Sequence, residues 1–162
     1  MRYRDLGKTG LKVSEIGLGA EWLGRHNTGE GKTVIDCCEE QGINILDCWM
    51  AEPNVRSNIG KAIAGKREKW IIQGHFGSTW QDGQYVRTRE MDKVRAAFED
   101  LLTRLGTDYI DLGMIHFVDE SQGRKAGGHE RGDRNASFQH QSRIRPAACQ
   151  RRYEHLFCRG LR

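Results

Sequence analysis

Three ionisable side chains stand where short apolar runs end: Asp47 closes residues 43–47, His75 lies near the end of residues 69–76, and His116 near the end of residues 109–117. In parallel α/β sheets and barrels, side chains at the carboxyl ends of strands point into the ligand crevice. A carboxylate and imidazoles gathered there are groups that hold and pass protons near neutral pH. For Asp47, spacing alone favours a plainer role, ending a strand and capping a turn. The rest of the chain therefore has to be read for whether it builds such a mouth.

The elements that would position these groups alternate in kind. Residues 3–13 read as a hairpin turning at Lys8-Thr9-Gly10, and residues 14–19 as a strand running into the Gly17-Leu18-Gly19 turn. Residues 29–42 read as a helix with Val34, Cys37, Cys38 and Gln41 on its apolar face and Gly42 as its stop. After the strand at 43–47, Asn54 is a natural N-cap for a helix over 54–64. Residues 69–76 form the next strand, and residues 78–87 read as a polar loop. Residues 88–105 carry the clearest helical pattern: Thr88 can cap it, Met91, Val94, Phe98, Leu101, Leu102 and Leu105 recur at three and four, and Gly106 stops it. A hairpin followed by β-α-β-α-β-α-β reads as right-handed crossover units building a parallel sheet.

Composition limits the alternatives. A chain of 162 residues fits one domain, and no apolar run is long enough to span a membrane. No signal-peptide core follows Met1-Arg2-Tyr3-Arg4, so a cytoplasmic protein with reduced thiols is expected. Cys37, Cys38 and Cys48 are read as small buried hydrophobes. The net charge of +4 is unevenly spread: residues 122–162 hold ten Lys/Arg against three Asp/Glu, while residues 1–121 are slightly acidic. Two segments follow from this, 1–121 with regular periodicity and 122–162 without it, the second expected to be disordered or poorly packed.

Residues 1–120 resemble the first half of an aldo-keto reductase. YRDLGKTGLKVSEIGLG is similar to that family's opening hairpin and first barrel strand, GINILD with NIGKAI to its second strand and helix, and LLTRLGTDYIDLGMIH to its third helix and fourth strand. The resemblance implies a partial (β/α)8 TIM barrel, NADP(H) as cofactor, and reduction of a small carbonyl substrate at the carboxyl face. It points to Gly19, Ala20 and Asp47 as cofactor contacts. The family's catalytic set is Asp, Tyr, Lys and His; here those positions hold Asp47, Glu52, His75 and His116. The Tyr that would protonate the carbonyl oxygen and the Lys that makes it more acidic are thus replaced; an Asp47–His75 or Glu52–His75 pair could replace that device, the alternative being an inactive half-barrel fragment or interaction protein in which these side chains only satisfy one another.

DCWMAEPNVRSNIGKA, IIQGHFGS and DGQY resemble a subgroup whose longer members carry a C-terminal iron–sulfur module. The tail offers only Cys149 and Cys158, so no cluster is expected. His140, Cys149, His155 and Cys158 lack the paired spacing of a zinc site. Arg143, Arg145, Arg151 and Arg152 with Phe138 and Tyr153 could contact phosphates and bases, but no nucleic-acid motif surrounds them, and nucleic acid is not the expected partner. The patternless tail resembles the product of a shifted reading frame. A complete barrel usually needs ~250 residues. A barrel halted after its fourth strand has open edges, and it would self-associate to close, stay molten or aggregate.

Overall fold

The computed structural model describes residues 1–115. Strands β3 (Leu18–Gly19), β4 (Ile45–Cys48), β5 (Ile71–Phe76) and β8 (Leu112–Ile115) form a four-stranded parallel sheet in the order β3-β4-β5-β8. Helices α1 (Thr28–Glu40), α2 (Pro53–Ile63) and α3 (Met91–Leu105) connect them. This is the βα-unit architecture of a partial barrel. Two antiparallel hairpins complete the described chain: β1 (Tyr3–Asp5) with β2 (Lys12–Ser14), and β6 (Ser78–Gln81) with β7 (Gln84–Arg87).

The period of two along each strand sorts the side chains. On β4 and β5, Leu46, Cys48, Ile72 and Phe76 are buried in one cluster with Ile35, Val55, Ile59, Val94 and Phe98 of the helices. Asp47, Gln73 and His75 occupy the alternate positions and face the other way. Gly74 falls in the apolar series because a Cβ there would meet Leu101 at 2.8 Å and Ile110 at 2.9 Å.

Polar anchors fix the amino ends of the strands. Asn44, just before β4, accepts from the Ser14 amide at 2.8 Å and donates to the Lys12 carbonyl at 2.9 Å, which ties the first hairpin beneath the sheet. The Tyr3 hydroxyl donates to the Gly42 carbonyl at 2.7 Å. Asp111, buried before β8, accepts from the Ile72 amide at 3.0 Å and from Arg67 at 2.7 Å.

Helix α2 is the central helix, and its buried Arg56 and Asn58 each donate hydrogen bonds to neighbouring segments. Arg56 donates to the Ala97 carbonyl at 2.9 Å and to Asp100 at 2.8 Å, joining α2 to α3. Asn58 donates to the carbonyls of Leu23 at 2.9 Å and His26 at 3.0 Å, holding the segment that leads into α1. Gly60 allows the closest helix approach, since a Cβ at that position would run into the Arg104 carbonyl. Overpacking of such a contact costs about 1–3 kcal/mol. Gly60→Ala is therefore expected to lower the unfolding free energy by that amount, read as a lower urea midpoint by circular dichroism; an unchanged midpoint would mean that α2 and α3 do not meet there.

The structure corrects several sequence expectations. Residues 78–87 are not a polar loop but the β6–β7 hairpin, turned by Asp82 and Gly83 with φ of 49° and 74°. Helix α2 is capped by Glu52 and not Asn54, because Pro53 occupies its first turn. Helix α3 starts at Met91, half-exposed rather than in the core, and the Thr88 hydroxyl accepts the Glu90 amide instead of capping the helix as its first residue. In α1 the buried positions are Gly31 and Ile35; Val34 and Cys37 are exposed, so Cys37 is not a core thiol. The fourth sheet strand begins at Leu112, later than 109. His116 and the segment 122–162 lie outside the described residues.

Candidate active site

The site is built by strand register. Parallel pairing places Asp47 beside Gln73, and His75 lies two residues further along β5 on the same face. The Nε2 of His75 comes within 2.9 Å of Asp47 Oδ1. Gln73 donates its amide to the same carboxylate oxygen at 3.1 Å, and its nitrogen lies 3.1 Å from His75 Nε2. A hydrogen on Nε2 therefore points to the carboxylate, the only acceptor of the two. The imidazole is buried, with 6% of its side chain exposed, while Asp47 keeps 40%. The arrangement sets a ring shielded from water against a carboxylate open to it.

Neighbouring groups define the surroundings of this pair. Gly19 pairs with Asp47 in the adjacent strand, and a Cβ at Gly19 would meet nothing within 4 Å, so backbone and open space adjoin the acid. Ala20 is fully buried, and its amide donates to the Asp47 carbonyl at 3.1 Å. On the opposite side of β4, burial pushes the Cys48 thiol up to about 12, against the opposing effect of Arg56; it stays protonated and offers no nucleophile.

Of the four catalytic positions expected from the sequence, the structure brings Asp47 and His75 together. Glu52 has a different engagement: its carboxylate accepts the amides of Asn54 at 3.2 Å and Val55 at 2.8 Å. Its side chain also lies against Gly24, where a Cβ would collide with the carboxylate. Loss of an N-cap costs about 0.5–2 kcal/mol. Glu52→Ala is expected to lose about that much stability and Glu52→Ser to recover most of it; a proton-handling role for Glu52 would show instead as activity lost in both variants.

Sequence reasoning missed Tyr85. The β6–β7 hairpin leaves the carboxyl end of β5 and sets the Tyr85 ring edge-on to Trp49, with 5.6 Å between centroids. Trp49 follows Asp47 by two residues, just past the end of β4. Burial pushes the Tyr85 phenol above its ordinary range, opposed by the nearby positive charges of Arg87 and Arg89. The signal was Asp82-Gly83 between alternating residues, the mark of a two-residue hairpin.

No family model matches the sequence. The chain is 36% identical over 120 residues to the uncharacterized oxidoreductase YqkF of Bacillus subtilis, covering 72% of this chain and 39% of that protein. It is 34% identical over 128 residues to the aldo-keto reductase YhdN of the same organism, covering 74% of this chain and 39% of YhdN. Among solved structures, aldo-keto reductase AKR11C1 from Bacillus halodurans superposes with a TM-score of 0.64 at 32% identity, over 71% of this chain and 40% of that one. The chain thus spans about two fifths of the length of the curated relatives it matches. Its four parallel strands, their helices and these matches make it a homologue of the N-terminal portion of the aldo-keto reductases.

Proposed function

We propose that this chain provides the carbonyl-reducing face of an aldo-keto reductase, with the Asp47–His75 pair doing the proton handling otherwise assigned to Tyr and Lys. The observation that carries this reading is the 2.9 Å contact between Asp47 and His75 on the inner side of adjacent strands. Nearness to homologues named as aldo-keto reductases supplies the reaction class.

The nicotinamide end of NADP(H) fits the residues present: Gly19 offers backbone with open space beside it, Ala20 fixes the turn, and Asp47 supplies an exposed carboxylate. When bound, that cofactor supplies the hydride. The chain's own residues do the rest. His75 holds one proton on Nε2, oriented by Asp47 and by the Gln73 amide. Handing a proton to the oxygen of an aldehyde or ketone in step with reduction is general acid catalysis. Asp47 balances the charge on the ring and restores its proton from water, to which its carboxylate is open. Within the resemblance, His116 would hold the substrate oxygen. Cytoplasmic residence belongs to the same reading; among the described residues no helix is long and apolar enough to cross a membrane.

The experiment is a fluorescence titration of NADPH with the purified chain, followed by single-turnover reduction of a simple aldehyde. Saturable binding and turnover that depends on His75 support the proposal. A folded chain that binds NADPH but reduces nothing would overturn the role of the pair. A folded chain without binding would overturn the enzymatic reading and leave an inactive half-barrel.

A further inference from the structure

The β6–β7 hairpin carries polar groups that the fold does not use. Its register pairs Ser78 with Arg87 and Trp80 with Tyr85, so these four side chains share one face of the ribbon. Ser78 is 1% exposed, and its hydroxyl has no hydrogen-bond partner among the described residues. The Tyr85 hydroxyl is shielded from water as well, and no described group accepts its hydrogen. Arg87 and Arg89 bring positive charge to the phenol, but a guanidinium only donates, so that hydrogen stays unspent. Buried polar groups are nearly always paired, and two unspent hydroxyls on one ribbon face are accounted for by an acceptor that arrives with a ligand.

The ribbon leaves the carboxyl end of β5 at Ser78, three residues after His75, and its base is closed by the Thr88 amide, which donates to the Gly77 carbonyl at 2.9 Å. The Tyr85 ring meets Trp49, in the segment that leaves β4 after Asp47. Arg89, whose charge reaches the phenol, lies against Gly77, where a Cβ would collide with its guanidinium. Tyr85 therefore joins the segments that leave β4 and β5, the two strands whose Asp47 and His75 meet. We propose that Tyr85 is a further catalytic residue, its hydroxyl donating to the carbonyl oxygen of the aldehyde or ketone. This rests on the carbonyl-reducing reading above. In the resting site the Nε2 hydrogen of His75 and the Gln73 amide are both directed at Asp47, so an arriving oxygen finds its spare donor in Tyr85. The other described tyrosines, Tyr3 and Tyr109, lie toward the amino ends of the strands. As hydride adds to the carbonyl carbon, the electron pair of the broken C=O π bond collects on oxygen, where a fixed donor in a dry site stabilises it. His75 gives that oxygen its proton, and Tyr85 keeps its own.

The test is single-turnover reduction of a simple aldehyde by the purified chain with NADPH, comparing wild type with Tyr85→Phe. The substitution keeps the ring against Trp49 and removes only the hydroxyl. Losing one donor to a developing oxyanion lowers a rate by about 10²–10³-fold. That fall is expected here, with the NADPH titration and the circular dichroism spectrum unchanged. Thr79→Ala, on the opposite face of the ribbon, is expected to match wild type. Tyr85→Phe as fast as wild type would overturn the role of Tyr85 and leave the Asp47–His75 reading standing. An equal fall in Thr79→Ala would make the loss a property of the ribbon and overturn it too. A wild type that binds NADPH and reduces nothing would overturn both readings together. If Tyr85→Phe failed to fold, ultraviolet difference spectra of wild type decide: adding the aldehyde to the complex with oxidised cofactor is expected to perturb the tyrosine band, and an unperturbed band would overturn the proposal.

Discussion

Under the proposed reaction, His75→Ala is expected to lower carbonyl turnover by about 10²–10⁴-fold, the range that general acid catalysis contributes. The expectation rests on the site geometry: His75 is the buried member of the pair, and its Nε2 lies 2.9 Å from Asp47. Cofactor binding should survive, because the ring is not among the groups proposed to hold NADP(H). The fluorescence titration of His75→Ala should therefore match wild type while single-turnover reduction collapses. Asp47→Asn separates the two roles of the acid. The amide keeps a polar group beside Gln73 but removes the charge that balances the ring, so turnover should fall with the fold intact. Equal turnover in wild type and His75→Ala would dismiss the pair as a structural contact at the end of two strands.

The second large effect concerns stability. Asp111→Ala is expected to cost about 3–5 kcal/mol, the usual result of removing one partner of a buried ion pair. The carboxylate is 3% exposed, and its Arg67 partner 13%, so little solvent screening reduces the interaction. Removing it also strands the Ile72 amide inside the sheet and releases Arg67, which otherwise donates to the Trp70 carbonyl at 2.6 Å and the Tyr109 carbonyl at 3.2 Å. Asp111→Asn should lose less, because an amide oxygen can still accept from Ile72. Urea unfolding followed by circular dichroism gives the ranking. The paired replacement Arg67→Met with Asp111→Leu should cost less than the sum of the single changes, since no charge is then left buried alone. Equal midpoints for Asp111→Ala and wild type would contradict the buried contact.

The order of elements was legible in the sequence because the apolar residues keep two distinct periods. Val94, Phe98, Leu101, Leu102 and Leu105 recur at three and four and are all buried in α3. Residues 69–76 read as an apolar strand run, which the structure sorts into the buried and half-buried faces of β5. Such periods report which face is wet, and that face is fixed locally. The Glu52 cap was also within reach. A residue before proline is pushed out of the helical region, so Pro53 at the first helical position makes Glu52 the last extended residue. The β6–β7 hairpin was hidden by its polar composition, although the Asp-Gly turn announced it.

The choice of buried face in α1 was a tertiary decision. Val34 and Ile35 are both β-branched and adjacent, so periodicity does not choose between them; packing against α2 buries Ile35 and leaves Val34 exposed. The candidate site was decided in the same way. Sequence placed Asp47 and His75 at two strand ends and allowed either acid, Asp47 or Glu52, to serve the histidine. Parallel register put Asp47 beside Gln73 and left His75 within hydrogen-bond reach of it, while the start of α2 bound the Glu52 carboxylate to its own first-turn amides. Residue types and periods are properties of short stretches. Which strand lies next to which, and in what register, depends on the whole sheet, and that is where the pair was made.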